Sequence, residues 1–346
     1  MTFSEKLANY KENKISVLSL YDANKNEGID IKEIFQTEDK NFIIFYNFGT
    51  WMDTGSQSSY DCLENIEQRL IKINRKSKIL TKPVTVGHSN NKQLNLFFIQ
   101  DKFFLVNSKV IKRIDKDFNV EKEISNYEIC SNGGNIDASQ KLSNGNIIIA
   151  MYKFFYILNI NFEIVSKIPK DEKIIARNIY ELNDGRFFVH GGDEIPNNYE
   201  VNEVTFNSTK LNDKFYLFNN EGLEKSILND KNRMWNNEDE VDNYAENNGK
   251  IFYAFRWECK FQIIDLNNFQ IEKTIKENNV GGLTFYKYDE KLIYGTWKEF
   301  PEGLQGFMFL NNKNIERIFI RDNTIFIIEV MPNGKVSEKE FYFVDL

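Results

Sequence analysis

Cysteine, histidine and excess positive charge are all scarce in this sequence, and each scarcity removes a class of protein. The three cysteines, Cys62, Cys130 and Cys259, lie far apart and form no paired spacing. No disulfide framework can be drawn from them, and they read as reduced thiols of a cytoplasmic protein. The two histidines, His88 and His190, are too far apart for the short spacing of a zinc site. Basic residues number 44 against 51 acidic ones, a net charge of −7. Such a balance supplies no clustered positive potential, so no nucleic-acid partner is expected. Long hydrophobic runs are missing as well. Asn146–Met151 and Thr324–Val330 have the length of strands, far short of the roughly 18 apolar residues of a membrane span. Met1–Leu20 is interrupted by polar residues at almost every step, unlike a secretory signal. Phosphate loops, dinucleotide-binding glycine turns and nucleophile elbows are not found.

What the chain does have is aromatic and apolar content. Hydrophobic residues make up 41% and charged ones 27%, the balance of a folded globular protein, and 30 Phe with 16 Tyr favour strands. A pattern recurs along almost the whole length. An apolar strand ends in Asn or Asp, a polar turn follows, and a second strand carries Glu or Lys with Ile. It is seen at Leu70–Asn74, Ile111–Asp115, Ile157–Asn161, Tyr216–Asn219, Ile263–Asn267 and Met308–Asn311. A second series of turns, among them Ser143–Gly145, Asn183–Gly185 and Asn247–Gly249, precedes further apolar strands. Asn-Gly and Asp-Gly between apolar runs mark hairpins, because glycine accepts positive φ at little cost. Helical periodicity is confined to a weak stretch around Glu64–Ile71.

Four short antiparallel strands repeated every 40–50 residues or so form the unit of a β-propeller blade. The reading is therefore all-β: residues 1–346 as one propeller domain of seven blades, or six, each of four antiparallel strands. The last unit, Arg321–Leu346, is too short for a full blade, while Ile15–Leu20 is an unclaimed strand at the other end. The termini are thus expected to share the closing blade, although Asn26–Ile34 offers an alternative strand for it. By period and strand order the chain resembles the WD40/quinoprotein-like group of propellers.

Long insertions fall on one class of connection, second-to-third strand and blade-to-blade: Gly49–Glu67, Gly191–Asp213, Asn229–Asp242 and Lys298–Gln305. Long connections on a rigid scaffold are where function concentrates. Trp51, Trp235, Trp257 and Trp297 gather there, with His190, Asp193, Glu194, Arg233, Arg256 and Glu258 beside them. Trp and Arg dominate recognition hot spots. These ten residues are the candidate binding set, and the expected partner is another protein or peptide, met by a monomer or by a subunit of a complex. No catalytic residue, metal or other cofactor is assigned. The alternative is a lactonase-like or glycan-processing enzyme with acids and His190 near the axial mouth and Ca²⁺ held by oxygen ligands. His190 and Asp193 would be its base and acid.

Overall fold

The computed structural model describes residues 9–15, 27–51, 63–88, 95–194, 209–235, 243–255, 260–276, 284–288, 291–295, 307–310, 315–321, 324–330 and 339–345. Strand β1 (Lys14–Ile15) precedes a first four-stranded sheet, β2 (Glu27–Gln36), β3 (Phe42–Trp51), β4 (Leu63–Ile73) and β5 (Val84–His88). The next comprises β6 (Asn95–Ile99), β7 (Lys102–Val106), β8 (Val110–Ile114) and β9 (Val120–Ser125). A four-residue helix, α1 (Asn126–Ile129), leads to β10 (Ile136–Lys141), β11 (Ile147–Met151), β12 (Phe154–Leu158) and β13 (Ile164–Pro169). Then come β14 (Ile174–Glu181), β15 (Phe187–Glu194), β16 (Thr209–Asn219) and β17 (Gly222–Trp235). They are followed by β18 (Asn243–Asn247), β19 (Lys250–Phe255), β20 (Lys260–Asp265) and β21 (Gln270–Lys276). The remaining strands are β22 (Thr284–Tyr288), β23 (Lys291–Gly295), β24 (Phe307–Leu310), β25 (Ile315–Arg321), β26 (Thr324–Val330) and β27 (Lys339–Asp345).

This is a β-propeller of antiparallel blades, with six four-stranded sheets among the described residues where seven blades, or six, were expected. The exception is β22–β24, a three-stranded sheet in which β23 and β24 run parallel. Parallel neighbours cannot be joined by a tight hairpin, so this sheet departs from the meander that the repeat predicts. The expected closure is present at the start of that strand: β1 pairs with β27, Lys14 opposite Tyr342 and Ile15 opposite Phe341, while residues 16–20 lie outside the described residues. Asn26–Ile34 does not serve there, since Glu27–Gln36 is the first strand of its own blade. The weakly helical stretch Glu64–Ile71 lies within β4, its apolar residues taken up by pairing with β3.

The chain divides into two compact units. The first comprises Met1–Asn90, Ala254–Phe261 and Ile275–Leu346; the second comprises Asn91–Tyr253 and Gln262–Thr274. In the first, Ile15, Ile34, Phe42, Ile44, Phe326 and Phe341 belong to one buried cluster, with Phe42 edge-on to Phe326 at 5.2 Å. In the second, β11 is buried at every position, which explains its uninterrupted apolar run. Its side chains feed two clusters, one shared with β14–β16 and one with β7, β8 and β12.

Asn or Asp side chains at the repeat anchors Asn74, Asp115 and Asn219, and two residues before the anchors Asn161 and Asn267, have one physical job; the anchor Asn311 lies outside the described residues. The Oδ1 of Asn74, Asp115, Asn159, Asn219 and Asp265 each accepts two backbone N–H groups of the turn that follows the third strand. Such side chains stand in for backbone and close the turn. Three of these turns then place phenylalanine at positive φ: Phe118 (69°), Phe162 (67°) and Phe269 (55°). That conformation is costly for a bulky residue. Burial offsets it, since all three rings are buried, with Phe162 edge-on to Phe104 of the preceding blade at 5.8 Å.

Candidate functional site

The two ends of the blades in the second unit are unlike. At one end, capped turns join first to second and third to fourth strands, and they latch each blade to the next. Glu181 of β14 accepts from Ser143 N and Ser143 Oγ of the preceding blade, and Glu246 of β18 accepts from Asn183 N. At the other end lie the second-to-third and blade-to-blade connections, and there β15–β17 outgrow their neighbours. These strands have 8, 11 and 14 residues, against 5 or 6 for β11–β13.

The extension corrects the expected insertions. Gly191–Glu194 continues β15, Thr209–Asp213 opens β16, and Asn229–Trp235 completes β17. In the first unit Gly49–Trp51 ends β3 and Leu63–Glu67 begins β4. Ladder pairing carries on through polar residues because it uses backbone groups alone. Trp51 therefore ends a strand opposite Leu63, Trp235 ends one opposite Thr209, and Arg233 faces Leu211 in the ladder. Glu194 is the last residue of β15, opposite Leu211 on its other flank. Arg256, Trp257, Glu258 and Trp297 lie outside the described residues.

His190 and Asp193, the expected base and acid, do not meet. Three positions apart on one strand, they fall on opposite faces. His190 stands opposite Phe215, and its diagonal neighbour is Asp213. Nε2 lies 2.6 Å from Asp213 Oδ1, and Nδ1 lies 2.7 Å from the Tyr253 hydroxyl. A carboxylate only accepts, so Nε2 carries the proton and the tyrosine donates to Nδ1. The chain continues at both ends. Asn178 Nδ2 donates to the Tyr253 oxygen at 3.2 Å, Asn229 Nδ2 to Asp213 Oδ2 at 2.6 Å, and Gln262 Nε2 to Asn229 Oδ1 at 2.7 Å. His190 and Asp213 are both 0% exposed. A base so sealed reaches no substrate; it ties the β14–β17 blade to the β18–β21 blade. Gly191 beside it is structural, because a Cβ there would lie 2.4 Å from the Ile175 carbonyl.

Asp193 instead takes an ion pair from Lys214 through Oδ2. Its Oδ1 and the Tyr216 hydroxyl are buried without a hydrogen-bond partner among the described residues. Burial first, then the charges of Asp193, Asp213 and Asp171, hold the Tyr216 hydroxyl well above its ordinary range.

A carboxyl near this end whose pKa burial raises was not singled out by sequence. Asp137 is the extra residue of a β-bulge: Ile136 stands opposite Met151 and Ala138 opposite Ala150, leaving Asp137 unopposed. Bulges re-aim side chains and cluster near functional sites. The carboxyl is half-buried and pushed up to about 6 by desolvation, against which the charge of Lys170 works. Lys170 is itself buried, its Nζ donating to the Tyr152 and Ile174 carbonyls. Desolvation lowers its pKa, opposed by Asp137 and Asp171. Next to them the blade-to-blade link turns at Gly133 (φ 67°) and Gly134 (φ 104°). Gly133 lies directly under Tyr127, whose Cε1 would be 2.5 Å from an added Cβ, whereas a Cβ on Gly134 would meet only the Tyr152 Cβ, at 3.8 Å. Both tyrosines are open to solvent, 68% and 42% exposed.

Bulges recur on first strands. Lys32 in β2, Arg177 in β14 and Glu316 in β25 are extra residues like Asp137, and all four are charged. A strand pattern cannot reveal them, because one inserted residue looks like a break in alternation. Among the described residues no group of three or more His, Cys, Asp or Glu is placed to hold a metal ion, and no helix is long and apolar enough to cross a membrane.

The architecture defines a β-propeller. No protein-family model matches the chain, and no curated protein does. Among solved structures, the chain is similar to the WD40 domain of Neurospora crassa Pan2, with 9% identity, a TM-score of 0.50, and coverage of 92% of this chain and 89% of that one. It is also similar to a catalytically inactive virginiamycin B lyase from Staphylococcus aureus with quinupristin, with 10% identity, a TM-score of 0.48 and coverage of 96% and 98%. A Bacteroides caccae protein of unknown function matches with 14% identity, a TM-score of 0.42 and coverage of 79% and 81%. At such identities the likeness shows the fold alone.

Proposed function

We propose that the chain is a cytoplasmic, non-enzymatic, cofactor-free propeller domain that binds another protein or peptide at the end of its blades where the second-to-third and blade-to-blade connections lie. The observation that carries this reading is the asymmetry of the β14–β17 blade, whose strands lengthen toward that end while the opposite end is closed by short capped turns. Lengthened strands present backbone and side chains on a rigid base, which favours recognition over loop adaptation. The free thiol of Cys130 agrees with a reducing compartment.

The test is partner capture from a lysate by wild type and by the Trp235→Ala/Trp257→Ala double variant. Loss of capture by the variant, with thermal unfolding nearly unchanged, supports the reading. Equal capture by both proteins removes these tryptophans from it.

A further inference from the structure

We infer that Asn248 is a self-modifying site, at which the folded chain releases ammonia and converts to aspartate and isoaspartate well ahead of Asn132 and Asn144. The site lies in a first-to-second strand turn, at the capped end of the blades and away from the proposed binding end.

The asparagine–glycine pairs among the described residues are Asn132-Gly133, Asn144-Gly145 and Asn248-Gly249; Asn333-Gly334 lies outside them. In such a pair the glycine amide nitrogen can attack the asparagine side-chain carbonyl, because no Cβ on the glycine obstructs the approach. The preceding residues are Ser131, Ser143 and Asn247, all polar and of modest size. Local structure therefore decides which pair reacts. Two of the nucleophiles are occupied. Gly133 N donates to the Cys130 carbonyl at 2.7 Å, and Gly145 N donates to the Leu142 carbonyl at 3.0 Å. Asn144 is held as well, its Oδ1 accepting from Asn146 N at 3.0 Å.

The third pair is different. Asn248 and Gly249 are the two residues between β18 and β19, both exposed and both at positive φ, 50° and 70°. A two-residue hairpin turn is closed by its flanking residues, not by its central amides. Among the described residues neither the Gly249 N–H nor the Asn248 side chain makes a hydrogen bond. Nucleophile and electrophile can meet without giving up a partner.

The reaction needs only water. The Gly249 nitrogen gives its proton to water or hydroxide and bonds to Asn248 Cγ, and the Cγ–Nδ2 bond breaks to release ammonia. Water then opens the cyclic imide. Cleavage of the Cγ–N bond gives aspartate, whereas cleavage at the main-chain carbonyl gives isoaspartate, whose backbone runs through Cβ. Aspartate tolerates positive φ much as asparagine does. Isoaspartate instead lengthens the main chain of a turn that holds more than its own hairpin. Gly249 O accepts from Leu266 N at 2.9 Å. Just before the turn, Tyr244 stacks on Tyr180 at 4.2 Å and Glu246 accepts from Asn183 N at 2.8 Å. Isoaspartate thus loosens the latch between the β14–β17 and β18–β21 blades.

The experiment ages the full chain in mildly alkaline buffer, folded and in urea, with peptide mapping by mass spectrometry and isoaspartate detection by enzymatic methylation. In the folded chain Asn248 should convert roughly tenfold or more faster than Asn132 and Asn144, and in urea the three rates should come within a few-fold of one another. Asn132 or Asn144 keeping pace with Asn248 in the folded chain, or the same spread persisting in urea, would overturn the inference. Asn248→Gly keeps a turn that accepts positive φ and removes the electrophile. It should hold its melting temperature on ageing while the wild type melts progressively lower; equal losses in both proteins would overturn the loosening by isoaspartate.

Discussion

Replacing Asp137 by asparagine should make the protein more stable at neutral pH, the opposite of what removing a useful structural contact would do. The carboxyl is held at about 6 against an ordinary 3.8. Below pH 3.8 it is protonated in both folded and unfolded chains and contributes no difference. Between 3.8 and 6 the unfolded chain releases its proton while the folded one keeps it, so stability falls as pH rises. Above 6 the deficit is constant. The gap of 6 − 3.8, or roughly 2 pH units, at about 1.4 kcal/mol each sets a ceiling near 3 kcal/mol. Solvent reaching the half-buried carboxyl screens part of this, leaving about 1–2 kcal/mol. Asparagine copies the shape of the protonated acid and cannot ionise. The charged groups acting around the carboxyl, Lys170 and through it Asp171, are unchanged in the variant. Urea unfolding of both proteins between pH 3.5 and 7.5 reads the difference. It should be small at the acid end and grow in favour of the variant up to about pH 7. A flat difference, or one that shrinks with pH, would refute the reasoning that burial rather than a hidden partner sets this carboxyl.

Two further substitutions probe the scaffold. Phe162 combines positive φ with a buried ring, so Phe162→Ala should cost about 3–5 kcal/mol, while Phe162→Gly should be less damaging by about 1 kcal/mol because it relieves the backbone; denaturant titration giving the reverse order would contradict the strain argument. His190→Phe keeps the volume but leaves the buried Asp213 carboxylate without its imidazole donor; a loss of about 3–5 kcal/mol is expected in chemical unfolding, and a neutral result would mean that the network is dispensable.

How much of this could be read from residues alone differs from element to element. The strand repeat was legible because Asn74, Asp115 and Asn219 mark the turn after each third strand with a side chain that physically caps it. Closure was legible because Ile15 lay in an apolar strand without a partner at one end and a blade was incomplete at the other. The β22–β24 sheet was not, since its parallel pairing contradicts the hairpin order that its neighbours follow. At the site, sequence adjacency misled. His190 and Asp193 are near in number but lie across a sheet from each other, whereas His190 and Asp213, 23 positions apart, become neighbours through hairpin register. Asp137 carried no sequence signal at all, because its burial comes from a bulge that no alternation pattern encodes.

The contrast between two sets of repeated positions bears on where recognition resides. After the third strand the fold needs an acceptor that closes a turn, and the capping position is Asn or Asp in five blades. On the first strand the bulge requires only that one residue be extruded from the ladder, and its occupants are Lys32, Asp137, Arg177 and Glu316, of both charge signs. A position whose geometry is repeated while its chemistry varies is one the scaffold leaves free. Lys32 is neutralised locally by Asp30 at 2.5 Å, whereas Asp137 bears its burial without a hydrogen bond.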